Sequence, residues 1–341
     1  MKNRIPALIA ALAAFVPAVA PASEREITVT NSNDGVMLAG TLSIPDSGSP
    51  RALLVMATGS GQQDRDEEIF GHKLFRDIAD RLAAEGYASI RMDDRGTGDS
   101  GGQFKGATVD DFVSDIAAAV AAADTLCHGV PVGVLGHSEG GTVAIRQAAH
   151  NPACDFIVTL AAPAWQGDSI IMSQTRAVAE AMSGRWEPDK EALQRSLLDI
   201  CLSDVPTPLA RPGFIYILSN SIGEAATLPK VQAQIVASAD VMLSDYYRGM
   251  VRYNPADDIA SITKPWLALN GGKDMQVLPA NLTTIQQLNP TVDTMLLPGH
   301  NHLFQQCTTG LVQEYATLAE SISSATLDAI VAWLDAHFPA K

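Results

Sequence analysis

The chain has 341 residues, 23 Lys+Arg against 38 Asp+Glu, and a formal net charge of −15. Hydrophobic residues make up 47%, enough to support a packed core, which excludes a disordered chain. The acidic balance leaves no surplus of Lys and Arg for a phosphate-binding surface and argues against a nucleic-acid partner.

In chain order, Met1-Lys2-Asn3-Arg4 is followed by an uncharged run from Ile5 to Ala20 and by Ala20-Pro21-Ala22. A basic start, an apolar middle and a small-x-small cut site predict an export signal over 1–22, with the mature chain starting at Ser23. A periplasmic or secreted protein is therefore expected. The apolar run is too short to span a bilayer, and no later segment reaches spanning length, so stable membrane insertion after cleavage is not expected.

Ile27–Thr30 and Leu38–Ile44 flank Asn33-Asp34-Gly35 and predict an opening hairpin. Ala52–Met56 predicts a buried strand, Lys73–Glu85 a helix stopped by Gly86, and Ala88–Met92 the next strand. Thr108-Val109-Asp110-Asp111 fits a capping box ahead of a helix over Phe112–Leu126. Strand Val132–Gly136, helix Glu139–Ala149 and strand Phe156–Leu160 continue the alternation. From 165 to 255 the pattern is helical, through Gln174–Ser183, Lys190–Leu198, Pro229–Val236 and Val241–Arg248. Strand Trp266–Asn270, helix Pro279–Leu288, strand Thr291–Leu297 and helix Ala325–Phe338 then restore it. The reading is an α/β, mostly parallel, doubly wound sheet built from 23–164 and 256–341, with a helical cap inserted at 165–255.

Gly136-His137-Ser138-Glu139-Gly140 lies between a strand and a helix, the setting in which G-x-S-x-G holds a nucleophilic serine. Ser138 needs a base to take its proton, and the chain order Ser, acid, His places both partners downstream. Asp274, in Gly271-Gly272-Lys273-Asp274 after a strand, is the candidate acid. Gly299-His300-Asn301-His302 follows the next strand and offers two candidate bases, His300 and His302. Backbone N–H groups of Ser60, in Thr58-Gly59-Ser60-Gly61, and of Glu139 are the candidate oxyanion donors. This chemistry requires no cofactor and no metal. The charge run Asp64–Glu68 reads as a solvated loop, with Arg65 a candidate contact for a substrate carboxylate, and Asp94 and Arg95 read as a local pair.

Cap residues Met172, Met182, Met242, Met250, Tyr246 and Tyr247 are candidates for lining an acyl pocket, because Met and Tyr adapt to ligand shape. Export would make Cys127, Cys154, Cys201 and Cys307 an even set in an oxidising compartment. Cys127 and Cys154 each precede a strand at one sheet edge, which favours Cys127–Cys154 and leaves Cys201–Cys307, with four unpaired thiols as the alternative.

Several stretches together resemble a known family: Gly59-Ser60-Gly61-Gln62-Gln63-Asp64-Arg65-Asp66, Gly71-His72-Lys73, Asp93-Asp94-Arg95-Gly96-Thr97-Gly98-Asp99-Ser100, Gly136–Gly141, Leu267–Val277 and Asn301-His302-Leu303-Phe304-Gln305. The chain looks like an α/β-hydrolase of the serine carboxylesterase type, near bacterial esterases labelled dipeptidyl-aminopeptidase or acylaminoacyl-peptidase relatives. The resemblance runs from about residue 27 to 338 and implies the eight-stranded α/β-hydrolase fold with a cap. It places the catalytic histidine in the Asn-His-Leu-Phe stretch, which selects His302. It implies hydrolysis of small-molecule esters with small to medium acyl chains; acyl transfer, or thioester or amide hydrolysis by the same triad, is the alternative. A homodimer is left open.

Overall fold

The computed structural model describes residues 23–46 and 49–340; the expected export signal lies outside the described residues. The chain opens with the predicted hairpin, β1 (Ser23–Thr30) and β2 (Met37–Ile44), turned at Gly35 with φ +79°. Next come β3 (Leu53–Ala57), a small hairpin of β4 (Glu68–Ile69) and β5 (His72–Lys73), and α1 (Leu74–Ala84). These lead to β6 (Ala88–Met92), α2 (Val109–Leu126), β7 (Val132–His137), α3 (Glu139–His150) and β8 (Phe156–Leu160). The capping box of α2 forms: Thr108 Oγ1 accepts from the Asp111 N–H, and the Asp111 carboxylate accepts from the Thr108 N–H at 2.7 Å.

Between β8 and β9 the chain leaves the sheet for α4 (Gly167–Ser183), α5 (Pro188–Leu202), α6 (Thr207–Ile222), a 3-10 turn (Gly223–Thr227), α7 (Pro229–Met242) and α8 (Asp245–Arg252). Helix α6 is not legible in the sequence because Pro208, Pro212 and Gly213 read as breakers. Pro208, however, falls in the first turn, where an N–H has no intrahelical partner to lose. The core resumes with α9 (Ala256–Ser261), β9 (Trp266–Gly271), α10 (Ala280–Leu288), β10 (Asp293–Leu297), α11 (Val312–Tyr315) and α12 (Ser324–His337).

The expected eight-stranded, mostly parallel sheet is present, in the order β1-β2-β6-β3-β7-β8-β9-β10. Within this sheet only the β1–β2 and β2–β6 pairings are antiparallel. Strands β3, β6, β7, β8 and β9 are buried at every residue, as strands covered on both faces must be. Phe75, Ile78 and Leu82 of α1 pack with Ile330 and Leu334 of α12 on one face; Ile116 of α2, Val143 of α3 and Ile285 of α10 cover the other. The cap helices have a core of their own around Leu198, Phe214, Ala239 and Val251. Because β7, β8, β9 and β10 run in parallel, the loops leaving β7, β9 and β10 emerge at one edge of the sheet, where α/β proteins bind ligands.

The disulfide expectation is overturned: all four cysteines are free. Cys127 and Cys154 share one core layer, but the Cys154 thiol is turned to the Phe156 carbonyl at 3.4 Å rather than to Cys127. Cys201 lies in the cap core with its Sγ 3.2 Å from the Met242 carbonyl, whereas Cys307 lies after β10 with its Sγ 3.3 Å from the Gly299 carbonyl. An even count and strand adjacency say nothing of where each thiol points. Burial pushes the Cys154 and Cys201 thiols up to about 11, so they behave as small apolar fillers.

Candidate active site

Ser138 sits at the junction of β7 and α3 with φ +54° and ψ −118°, a conformation that costs energy for any residue but glycine. The turn is held tight by backbone contact. A Cβ on Gly136 would lie 1.9 Å from the Gly140 carbonyl oxygen, and one on Gly140 would lie 1.9 Å from that of Ala57, so neither position accepts a side chain. The Ser138 N–H donates to the Leu160 carbonyl at 2.8 Å. Glu139 begins α3, so its N–H has no intrahelical acceptor and is free to face an anion.

Asp274 and His302 meet. His302 Nδ1 lies 2.8 Å from Asp274 Oδ2, and both side chains are almost fully buried. The other oxygen, Oδ1, accepts from the N–H groups of Gln276 at 2.8 Å and Val277 at 2.9 Å, which fixes the carboxylate. In the neutral ring a carboxylate acceptor holds the proton on Nδ1 and leaves the Nε2 lone pair free. The loop after β10 is drawn onto β9: the Lys273 N–H donates to the His300 carbonyl at 2.8 Å, and a Cβ on Gly271 would lie 2.4 Å from the Asn301 carbonyl oxygen. Asn301 then shapes the turn. Its Oδ1 accepts from the N–H groups of Leu303 at 3.0 Å and Gln305 at 2.9 Å, and its Nδ2 donates to Gln305 Oε1. His300 is engaged elsewhere, with Nδ1 at 2.9 Å from the Pro298 carbonyl and Nε2 at 2.8 Å from Ser323 Oγ. Of the two candidate bases, His302 alone reaches Asp274.

Ser138, His302 and Ser60 line one cavity, with Gln63, Gln276 and Leu303. Among the described residues no hydrogen bond joins Ser138 Oγ to His302, a looseness common before substrate binds. A second cavity shares Ser138, Ser60 and Gln276 but is walled by Trp165, Ile170, Ile171, Met250, Tyr253 and Val277. Ser138 thus stands between a polar recess containing His302 and an apolar one under α4 and α8.

Of the expected pocket residues, Met250 lines the apolar recess and Met182 is exposed, while the others are placed differently. Met172, Met242 and Tyr247 pack in the cap core. Tyr246 points down to the Glu139 carboxyl, packed against Phe104 and Phe112 with ring centroids 5.9 and 6.1 Å away, and lines a recess separate from the one that holds Ser138. Composition singled out adaptable side chains, but helix phase decides which face of α4 and α8 looks at the sheet. Met250 of α8, one of the expected residues, lines the apolar recess together with Trp165, just ahead of α4, and Tyr253, just after α8; sequence reasoning missed Trp165, Tyr253 and Gln276.

The charge run 64–68 is not a solvated loop. Arg65 grips Asp93 through Nε at 3.1 Å and Nη2 at 2.7 Å and reaches Glu26, so it is spent on structure. Arg95 pairs with Asp115 through two bonds of 2.7 Å, not with Asp94. Asp94 instead braces the candidate oxyanion loop, accepting from Thr58 Oγ1 at 2.8 Å and from the Gln63 N–H at 2.9 Å. Glu67 is fully buried; its Oε1 accepts from the Gly59 N–H at 2.7 Å and lies 2.8 Å from His137 Nδ1. Among the described residues no acceptor takes the Ser60 N–H, the next donor along that loop.

Two buried acids flank the Ser138 turn. Burial pushes the Glu139 carboxyl up to about 7 against the opposing effect of the Tyr246 hydroxyl. Burial likewise pushes Asp94 up to about 7, the Thr58 and Gln63 bonds lowering it and the nearby Glu67 and Glu139 charges raising it.

Solved structures share this architecture over nearly the whole chain. An esterase from Pyrococcus furiosus superposes with a TM-score of 0.57 at 18% identity, over 92% of this chain and 91% of that one. A proline iminopeptidase from Mycobacterium smegmatis does so with a TM-score of 0.55 at 17% identity, over 92% and 98%. The chain has the α/β-hydrolase fold. A family model described as serine aminopeptidase, S33, matches residues 70–209 of this chain. Esterase EstD from Thermotoga maritima is 29% identical over 257 residues, which cover 74% of this chain and 52% of the relative. The chain thus spans about half the length of that curated relative.

Proposed function

We propose that this α/β-hydrolase is an exported serine hydrolase that cleaves carboxylic esters of small to medium acyl chains. The carrying observation is the buried 2.8 Å contact of His302 Nδ1 with Asp274, beside a Ser138 held at positive φ in the same cavity. In this reading His302 Nε2 takes the Ser138 hydroxyl proton as Oγ attacks the acyl carbonyl, and Asp274 stabilises the imidazolium that forms. The N–H groups of Ser60 and Glu139 hold the oxyanion. His302 then passes its proton to the departing alcohol, and a water activated by the same nitrogen releases the acid from the acyl-enzyme. The apolar recess under α4 and α8 takes the acyl chain, and the polar recess beside His302 takes the alcohol. The esterase relatives support the ester class, and the residue pattern over 1–22 supports export to the periplasm or medium.

The S33 aminopeptidase match makes amide hydrolysis the second reading. A panel of p-nitrophenyl esters of graded chain length and aminoacyl p-nitroanilides, tested on wild type and Ser138→Ala, separates the two. Ester turnover that vanishes in Ser138→Ala supports the proposal. Unchanged turnover in that variant overturns it, and a preference for the anilides replaces it with the second reading.

A further inference from the structure

Glu67 is a charged residue in a run of five, yet it has no exposed surface and adopts φ +50°. Burying a carboxylate is costly unless its bonds justify it, and here only one oxygen is used; Oε2 has no partner. The used oxygen, Oε1, accepts from the Gly59 N–H at 2.7 Å and faces His137 Nδ1 at 2.8 Å. His137 is equally buried, and its Nε2 lies 3.0 Å from the His302 carbonyl oxygen. A carbonyl only accepts, so Nε2 carries a proton. Burial opposes a second proton on the ring, but the Glu67 charge and hydrogen bond outweigh burial and raise the His137 pKa. Each ring nitrogen of His137 thus faces an acceptor, Glu67 Oε1 at one end and the His302 carbonyl at the other.

Resting on the esterase reading above, we propose that Glu67, through His137, is the positioning residue that holds the oxyanion loop, the nucleophile turn and the His302 loop in one frame. Gly59 precedes Ser60, whose N–H is a candidate oxyanion donor, and His137 precedes Ser138. A Cβ on Gly59 would lie 2.9 Å from Glu67 Oε1 and 3.4 Å from Ser138 Cβ, so the loop is pressed between the two. The His137 ring also packs against the His302 ring, with centroids 4.8 Å apart. One carboxylate oxygen thus sets the distance between the oxyanion donor, the nucleophile and the base. Its two N–H bonds fix the peptide that must be in place before charge develops, the preorganisation on which oxyanion stabilisation depends.

The test uses Glu67→Gln and Glu67→Asp in the full chain. The glutamine keeps the shape but leaves His137 neutral, with a single N–H that cannot serve both Glu67's position and the His302 carbonyl. The aspartate keeps the charge but withdraws it from Gly59 by one methylene. Kinetics on a p-nitrophenyl ester are paired with two ketone inhibitors: a trifluoromethyl ketone, which adds to the serine and places an oxyanion in the hole, and its methyl analogue, which does not. In both variants kcat is expected to fall about 10- to 100-fold with KM changed less than about threefold, and trifluoromethyl ketone affinity to fall by a similar factor while methyl ketone affinity holds. A kcat within about threefold of wild type in either folded variant overturns the proposal. So does a loss that falls equally on both ketones, which a merely structural role would give. If a fluorophosphonate probe fails to label wild-type Ser138, the esterase reading itself has failed; normal labelling and turnover with unaffected variants sinks the positioning role alone.

Discussion

Tyr246 of α8 donates its hydroxyl hydrogen to the carboxyl of Glu139, tying the cap to the residue that follows Ser138. The other Glu139 oxygen is buried without a partner, so this bond is the carboxyl's one direct link. Phe104 and Phe112 hold the Tyr246 ring independently of its hydroxyl. Tyr246→Phe should therefore keep its packing and lose only the bond, lowering stability by about 1–3 kcal/mol. Urea unfolding measures this directly, and an unchanged midpoint would show that the bond contributes nothing.

The same carboxyl makes stability pH-dependent. Its pKa in the fold, about 7, is raised by burial from the ordinary 4.5. Between those values the folded state binds more protons than the unfolded one, so stability is greatest at the acidic end and falls as pH rises to about 7. For Glu139 alone the loss approaches about 3 kcal/mol, at about 1.4 kcal/mol per pH unit. Asp94 acts in the same direction. Glu139→Gln should flatten this slope: its melting temperature should exceed that of wild type at pH 8 and match or fall below it at pH 5. Parallel curves for the two proteins would refute the buried-acid account.

Asp274→Asn should leave the fold intact, because the amide oxygen can still accept from the Gln276 and Val277 N–H groups. The amide nitrogen would then face His302 and force the proton onto Nε2, the wrong tautomer for a base. A loss of about 10⁴ in kcat is expected. His300→Asn is the control. It breaks the bonds to Pro298 and Ser323, so melting should fall while kcat stays within a few-fold. Equal catalytic damage from His300→Asn would contradict the assignment of His302.

Free cysteines make a chemical prediction. Protein unfolded in denaturant without reductant should yield four thiols per chain to a disulfide-exchange reagent, and reductant should leave the melting temperature unchanged. A count of two or none would restore one or both expected bridges.

How much of this was legible follows from the distance over which each feature is decided. The strands and helices of the core, the capping box at Thr108 and the nucleophile turn depend on neighbours a few residues away. The turn is forced by backbone sterics between Gly136 and Gly140, and the strands by unbroken apolar runs, so their signals survive in the linear chain. The helix α6 was hidden because its prolines are judged by position within a helix whose start the sequence does not mark.

The remainder was settled by contacts between residues far apart in sequence. The Asn-His-Leu-Phe resemblance selects His302, but His300 and His302 are two residues apart and equal as imidazoles; the physical reason lies in the meeting of the loops after β9 and β10, which gives His302 its Asp274. Glu67 and its charged neighbours look alike in the chain, yet Glu67 is buried because it meets His137, 70 residues on, while Arg65 is held by Asp93. The cysteines are divided among layers, and the cap side chains between the cap core and the pocket, by helix phase and packing. Local sequence determines backbone conformation and the chemistry on offer. Burial and pairing are properties of the assembled layers, and here they decide which histidine, which carboxylates and which cap face stand beside Ser138.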